Sequence, residues 1–522
     1  MQSAEAEKTM LRAPVDSTLE HWARQQPNAV AITDGDRSMS FIEWNRMADR
    51  LATALQSRGL GAGDIVVVRT HIRLEWSVIA SALAKLGCSL LGMNWGLTPS
   101  EVHYVMNNSR ASAIICDDAD PAALLPAFER QALKAKISLD AAADGFNAYS
   151  DLVARDGDTF YSSGDPPLII YTSGTTGLPK GVVFKRPTTD PREIEYRLDI
   201  RGTRSATHTD VFLVTMPMHH GSGPAQMWGA LRAGAKTVVL RKFDALTVLD
   251  LIEKHKITHW TGVPTMYKRL AALPPEVIAR HDRSSIKSLG IGAAPVSDEL
   301  KAWIIDNLGD CLAEGYGSTE TGMISRMSPE MQKAKPGSSG LLHKQVLVEI
   351  RDENGRILST GQAGEIWVNT PAVIQNYLNA PPLGSETLDD RGFFRTGDMG
   401  RVDEDGYIYI SDRAKDMIIR GGANIYPAEI EHALQTHPAV ADAAAIGIPD
   451  DEFGESVMAF CELKPGQRAS EPDLLAHCAD LLAPYKRPKT ICVVAELPRN
   501  TVGKLLKRDL RAPFWKDRAR KV

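Results

Sequence analysis

The sequence predicts an α/β protein: a large N-terminal domain of parallel-rich sheets sandwiched by helices, a small β layer, and a smaller, mobile α+β C-terminal domain. Strand-length runs such as Ile65-Val66-Val67-Val68, Ala113-Ile114-Ile115, Val211-Phe212-Leu213-Val214 and Thr237-Val238-Val239-Leu240 are apolar almost throughout. Such strands belong to parallel sheets covered on both faces. Helical patterns at 41–57 and 245–255 alternate with them. After about residue 341 the texture changes to short β segments at 346–351, 365–368 and 401–410, the last bent at Asp405-Gly406. Beyond Arg413 it becomes mixed, with a helix expected at 427–436, strands near 443–446 and 458–463, and a helix at 471–482.

Size and composition bound the function. At 522 residues the chain exceeds the length at which a single core stops growing, so at least two domains are expected. The formal net charge of −5 has the wrong sign for a nucleic-acid binder, although 511–521 is locally basic. Cys88, Cys116, Cys311, Cys461, Cys478 and Cys492 are scattered without a C-x-x-C pair. That argues against a disulfide framework or structural zinc and fits a reducing cytoplasm. The N-terminus lacks the basic and apolar regions of a signal peptide, and the longest apolar region, 77–93, is interrupted by Lys85. No transmembrane segment is therefore expected. Peripheral contact with a lipid surface and homo-oligomer formation are left open by the sequence.

The densest chemical signal is Tyr171-Thr172-Ser173-Gly174-Thr175-Thr176-Gly177-Leu178-Pro179-Lys180-Gly181, directly behind the apolar Leu168-Ile169-Ile170. Glycines there let backbone N–H groups wrap an anion, Ser173, Thr175 and Thr176 add short hydroxyl donors, and Lys180 adds charge. No Gly-Lys-Ser/Thr closes the run, so it is not a Walker A loop. Met216-Pro217-Met218-His219-His220-Gly221-Ser222-Gly223 and Gly290-Ile291-Gly292-Ala293-Ala294-Pro295 each follow an expected strand. They set small residues where parallel strands open into a ligand cleft. Glu314-Gly315-Tyr316-Gly317-Ser318-Thr319-Glu320, Phe394-Arg395-Thr396-Gly397-Asp398 and Pro498-Arg499-Asn500-Thr501-Val502-Gly503-Lys504 complete the series. A paired His219-His220 has no third ligand at zinc spacing, which argues against a metal there.

In this order the segments resemble the adenylate-forming superfamily of acyl-CoA synthetases, nonribosomal-peptide adenylation domains and beetle luciferases, over 19–507. The resemblance implies an N-terminal domain over 1–412, a hinge at 413–415 about Lys415, and a C-terminal domain over 416–522. It implies that ATP binds through Thr172, Ser173, Gly174, Thr175, Thr176, Gly177 and Lys180, with Gly292, Ala293, Ala294, Gly315, Tyr316, Gly317 and Thr319 around the base and α-phosphate. Tyr316 would stack on adenine, Asp398 and Arg413 would meet the ribose, and Ile410 would stand close by. Thr172, His220, Glu320 and Lys504 form the implied catalytic set, with Glu320 as ligand to Mg²⁺. His220, Gly221, Ser222, Gly292 and Ala293 would line the acyl pocket, and Gly421, Gly422 and Asn424 the path of CoA. Ala423 stands where many relatives carry glutamate, which leaves the contacts of the thiol donor undefined.

Adenylation places negative charge on both sides of the bond exchanged at the α-phosphate, where a cation such as Lys504 fits. At ~4 Å and an effective dielectric near 20 one charge pair is worth about 4 kcal/mol, or ~10³ in rate. After rotation of the small domain, Gly421-Gly422 would line a narrow tunnel for pantetheine. The resemblance implies ATP, CoA and Mg²⁺ as co-substrates and cofactor, and a ligase that forms acyl-AMP and then a thioester. Amino-acid-adenylating relatives carry an aspartate for the α-ammonium where this chain has His219-His220-Gly221, and acetyl-type synthetases carry a pocket-shortening tryptophan where Tyr316-Gly317 lies here, so the resemblance disfavours amino acids and acetate. Small residues at 221–223 and 292–294 suggest depth for a medium- or long-chain fatty acid, with a ring-bearing aryl, steroid or bile-type acid next. The alternatives are a stand-alone enzyme loading a carrier protein, a luciferase-like oxidase, and a silent acyl- or nucleotide-binding protein.

Overall fold

The computed structural model describes residues 18–129, 131–140, 143–162, 165–172, 179–184, 190–202, 206–292, 296–413, 416–420, 423–450, 453–500 and 503–516. Its large domain contains two seven-stranded sheets. The first runs, in spatial order, Leu312–Glu314, Ser288–Ile291, His259–Gly262, Val211–Val214, Lys236–Val239, Val30–Asp34 and Arg37–Ser40. The second runs Asn147–Ala148, Ala135–Ser138, Ala113–Cys116, Ile65–Arg69, Ser89–Gly92, Leu168–Thr172 and Lys180–Val183. Each sheet is parallel except for its last pair. The expected strands at 65–68, 113–115, 211–214 and 237–240 and the helices at 41–57 and 245–255 are therefore all present, within a residue or two at their ends.

The two sheets share a core. One cluster gathers Ala31, Ile32, Val214 and Val239 from the first sheet, Val66, Val68, Leu90 and Ile115 from the second, and apolar faces of helices Phe41–Gln56 and Leu74–Leu86. Helix Phe41–Gln56 starts where it does because Ser40 and Glu43 form a reciprocal capping box. Every residue of helix Leu74–Leu86 is buried, as a helix apolar on all sides requires, and Gly87 at φ 71° ends it before strand Ser89–Gly92. Lys85, which breaks the apolar run in the sequence, has its ammonium buried between Glu20 (3.0 Å) and Asp49 (2.9 Å) and donates also to Asn45 Oδ1 and Phe160 O.

The small β layer is an antiparallel sheet of Leu347–Arg351, Gly364–Asn369, Phe394–Val402 and Ile408–Arg413. Its last hairpin turns at Asp405-Gly406 with Gly406 at φ 83°, and Asp403 Oδ1 accepts the N–H groups of Asp405 and Tyr407. In the C-terminal domain, strands Gly454–Leu463 and Val440–Asp450 pair over ten residues, with Thr490–Val494, Ile418–Arg420 and Ala423–Ile425 completing the sheet. Helices Pro427–Gln435 and Glu471–Leu481 cover it through Ile430, Leu434, Leu474 and Cys478. Among the described residues no helix is long and apolar enough to cross a membrane.

Replacing Lys85 with Met leaves two buried carboxylates without their cation. This substitution is expected to cost about 3–5 kcal/mol, read as a lower urea midpoint at an unchanged m-value; a midpoint within error of the parent would contradict the assignment.

Candidate active site

Four segments leave the carboxyl ends of adjacent parallel strands of the first sheet: 215–221 after Val211–Val214, 263 after His259–Gly262, 292 after Ser288–Ile291, and 315–316 after Leu312–Glu314. Such an edge is where α/β sheets open into clefts. The second sheet meets it there: a methyl placed on Gly92 would lie 2.8 Å from His219 Cα and 2.9 Å from Met218 O. Gly221 likewise faces Ile170 and Phe184 of the second sheet at ordinary contact distance.

At this junction the expected residues assemble. Thr172, at the end of strand Leu168–Thr172, donates its hydroxyl to Glu320 Oε1 at 3.0 Å, although 148 residues separate them. Thr172 pairs in register with Lys180, so the two residues stand at the feet of the glycine-rich segment. Ser173, Gly174, Thr175, Thr176 and Gly177 lie outside the described residues, as do Ala293, Ala294, Lys415, Gly421 and Gly422. Lys180 Nζ sits 5.0 Å from the centroid of the Tyr377 ring. Burial, and next the Glu320 carboxylate, push the Tyr377 phenol up to about 12, so it keeps its proton. Segment 374–378 is stitched in by Ile374 N–H donating to Glu320 O (3.0 Å) and Leu378 N–H to Gly181 O (2.7 Å).

A second group forms around Tyr316 and Asp398. Tyr316 donates its hydroxyl to Asp398 Oδ2 at 2.7 Å, and Asp398 is buried. Tyr316 and Ile410 pack into the same cluster as Ile408 and Val368. The backbone of Arg413 pairs in register with Asp398, which keeps strand Ile408–Arg413 beside that carboxylate. Gly317 has to be glycine because a methyl there would meet the carbonyl of Gly322 across the hairpin of Gly317–Ser318 and Gly322–Met323. A methyl on Gly292 would have Gly315 O as its nearest neighbour at 3.8 Å. Thr319 lies one residue before Glu320 in the tip of that hairpin, and Asn424 lies on strand Ala423–Ile425.

His219 and His220 are 4.6 Å apart by ring centroid, and Trp95 meets His219 edge-on at 4.7 Å. Burial, then the neighbouring charges of His220 and Arg69, bring His219 down to about 2. Burial brings His220 down to about 4. Both imidazoles are neutral at physiological pH, so His220 can offer a carboxylate a hydrogen bond but no charge. Gly223 departs from the expected role of the small residues: a methyl there would run into the carbonyls of Pro217 and Met216, so turn packing accounts for it. Ser222 is the first residue of helix Ser222–Ala233.

The C-terminal domain contributes the Lys504 loop. Lys504 N–H donates to Asn500 Oδ1 and its carbonyl accepts from Asn500 N–H, both at 2.9 Å, with Gly503 at φ 75° making the turn. Gly503 seats against Thr265, at the start of helix Pro264–Ala271, which follows strand His259–Gly262. Thr265 and Tyr377 touch these segments and escape sequence reasoning, since neither lies in a composition-biased run. On the small domain a cleft of about 610 Å³ is lined by Arg420, Asp450, Phe453, Arg487 and Lys489. The Arg420 guanidinium stands 5.1 Å over the Phe453 ring and donates to Tyr485 O at 2.9 Å. The Arg487 and Lys489 part of Tyr485-Lys486-Arg487-Pro488-Lys489 was the available signal.

Two family models match the chain: AMP-binding enzyme over residues 19–378, and AMP-binding enzyme C-terminal domain over 429–504. The chain belongs to the AMP-binding enzymes of the adenylate-forming superfamily. It is 34% identical to a fatty acid–[acyl-carrier-protein] ligase, ScoC, of Streptomyces coeruleorubidus, over 98% of each chain. It is 32% identical to an indoleacetate–CoA ligase of Aromatoleum aromaticum, over 94% of this chain and 96% of that one. The crystal structure of ATP-bound MatB from Rhodopseudomonas palustris superposes with a TM-score of 0.82 at 30% identity, covering 96% of this chain and 99% of that one.

With a folded value of about 4 against an ordinary 6.5, His220 binds its proton more readily in the unfolded chain. Its contribution to stability is complete above pH 6.5 and is lost as pH falls toward 4. His220→Asn removes this titration and is expected to flatten the pH dependence of unfolding free energy across that window. Urea melts at pH 7 and pH 5 measure it, and an unchanged slope would contradict the buried, neutral imidazole.

Proposed function

We propose that this enzyme activates a hydrophobic carboxylic acid with MgATP as an acyl-adenylate, releasing pyrophosphate, and passes the acyl group to the thiol of CoA, releasing AMP. The observation that carries this reading is the convergence, at one sheet edge, of the Thr172–Glu320 and Tyr316–Asp398 pairs with the Lys504 loop.

Each residue then has a task its chemistry suits. The Tyr316 ring offers adenine an aromatic face, and Asp398, already accepting from Tyr316, has lone pairs left for ribose hydroxyls. Lys180 and the hydroxyl-rich segment behind Thr172 are the groups proposed to bind the β- and γ-phosphates. The Glu320 carboxylate and Thr172 hydroxyl form an all-oxygen donor set, which fits Mg²⁺, and these residues would hold it. When bound, the ion supplies positive charge against the phosphate oxygens. His220, neutral, orients the incoming carboxylate without trapping it as an ion pair. Lys504 stabilises the charge that builds on the α-phosphate and the departing oxygen, the term worth about 4 kcal/mol.

The second step needs Lys504 withdrawn and a thiol admitted. Strand Ile408–Arg413 is hydrogen-bonded into the small β layer, whereas Asp416 is held by Arg511 of the small domain at 2.8 Å. Residues 414–415 connect them, which supports Lys415 as the hinge and a small domain that turns as one body. The cationic cleft at Arg420, Arg487 and Lys489 opens on the chain entering Gly421-Gly422 and suits the phosphates of CoA. This favours free CoA as acceptor. A medium- or long-chain fatty acid is the first choice of substrate. The similarity to an indoleacetate ligase supports a ring-bearing acid as the second reading.

Pyrophosphate release across a panel of fatty, aryl and steroid acids, with and without CoA and with products identified by intact mass, is expected to give an acyl-CoA from a hydrophobic acid. Acyl-AMP without acyl-CoA would direct the acyl group to a carrier protein instead. Lys504→Ala is expected to slow adenylation by ~10³ while sparing thioester formation from supplied acyl-AMP; equal loss of both half-reactions would overturn the role given to Lys504. Glu320→Gln is expected to raise the Mg²⁺ concentration at half-maximal adenylation, and an unchanged Mg²⁺ dependence would remove Glu320 from the ion.

A further inference from the structure

Helix Pro264–Ala271 carries a second contact with the small domain, three residues after Thr265. Residues three apart share one face of a helix, so Thr265 and Lys268 are presented together. Thr265 meets Gly503, and Lys268 Nζ lies 3.2 Å from Asp442 Oδ1 and 3.4 Å from Ala441 O. Asp442 is buried in strand Val440–Asp450. Its other oxygen accepts from Arg499 at 2.5 Å, and Arg499 donates in turn to Gly503 O at 3.2 Å. A continuous polar chain therefore runs from Lys268 of the large domain through Asp442 and Arg499 to the residue before Lys504. Gln435 Nε2 and the Ala443 N–H also donate to Asp442 Oδ1, and Arg499 approaches Glu462 at 3.7 Å.

We propose that Lys268 is a positioning residue: its ion pair with Asp442 is an interdomain latch that holds the Lys504 loop in the adenylating arrangement and opens for thioester formation. The inference rests on the two-step reading above. Asp442, Arg499 and Gly503 all belong to the small domain and would turn together, leaving Lys268 behind. The Lys268 contacts with Asp442 and Ala441 O would then be exchanged for water, and Gly503 would leave its seat against Thr265. Burial disfavours a charged Asp442, but Lys268 and Arg499 outweigh it and hold the carboxylate below its ordinary range, so the latch is charged at physiological pH. Such a link biases the domain equilibrium toward the first step while remaining breakable.

Lys268→Met removes the charge and keeps the stem, and Lys268→Arg restores the charge. Hydrogen exchange on the ligand-free enzyme is the first readout. The Met variant is expected to lose protection in 264–271 and 499–505 with the small-domain core unchanged, and the Arg variant to regain it. Half-reactions with the acid identified by the panel are the second readout. Acid-dependent ATP–pyrophosphate exchange is expected to fall roughly 10-fold in kcat at unchanged KM for ATP, with thioester formation from supplied acyl-AMP unchanged or faster. Unaltered protection in both segments, or an equal fall in both half-reactions, would overturn the latch. Lys504→Ala run alongside separates the two ideas. If that variant keeps full adenylation, the role of Lys504 fails; if it loses adenylation while Lys268→Met does not, the latch alone fails.

Discussion

The contact of Gly92 with His219 joins the carboxyl edges of the two large sheets, and the rest of the site depends on it. A side chain at residue 92 would push against the backbone of Met218 and His219, so the sheets could not close to this distance. Because they do close, Thr172 at the end of a strand of the second sheet reaches Glu320, which hangs from the hairpin that follows the first. The shared core beneath, with helix Leu74–Leu86 buried on every side, fixes the angle at which the two edges meet.

Charge is distributed in this site according to when it is needed. Beside the cation Lys180, the large-domain side of the proposed site has the carboxylates Glu320 and Asp398 and two imidazoles that burial keeps uncharged. Lys180, which flanks the glycine-rich segment, rests over the Tyr377 ring. Lys504, the cation proposed for the reacting phosphorus, is mounted on the small domain, which the proposed turn would carry away. A permanent cation at that point would retain pyrophosphate as firmly as it promotes its departure, since both depend on the same attraction.

Sequence reasoning read the local parts well and the nonlocal parts poorly. Apolar runs announced strands Ile65–Arg69 and Val211–Val214, and Ser40 with Glu43 marks a helix start in plain view. By contrast, strand Val30–Asp34 precedes the whole second sheet in the chain yet pairs with Lys236–Val239 in the first, a choice made by packing more than two hundred residues away. Lys85 read only as an interruption because its partners, Glu20 and Asp49, are distant in sequence. The nucleotide residues were legible because they cluster in short glycine-rich motifs. Tyr377 and Thr265 were not, since each acts through one contact made by the fold. The small residues at 221–223 carry the same lesson: Gly223 looks like space for a substrate and is instead space for the carbonyls of Met216 and Pro217.

The interface between the domains has to satisfy two opposed demands. For the proposed two-step cycle it must hold Lys504 near enough to act, and it must come apart once per turnover. The small domain meets the second demand by enclosing its own apolar core, from Ile418 and Ile425 through Leu474 to Ile491, without drawing on side chains of the large domain. Burying that surface against the large domain would add some 25 cal/mol for each Å² and would freeze the hinge. What the Thr265 and Lys268 face offers instead is a close backbone seat for Gly503 and a partly exposed ion pair. Contacts of that kind are directional enough to set the position of a loop, and water can replace them at small cost when the domain turns.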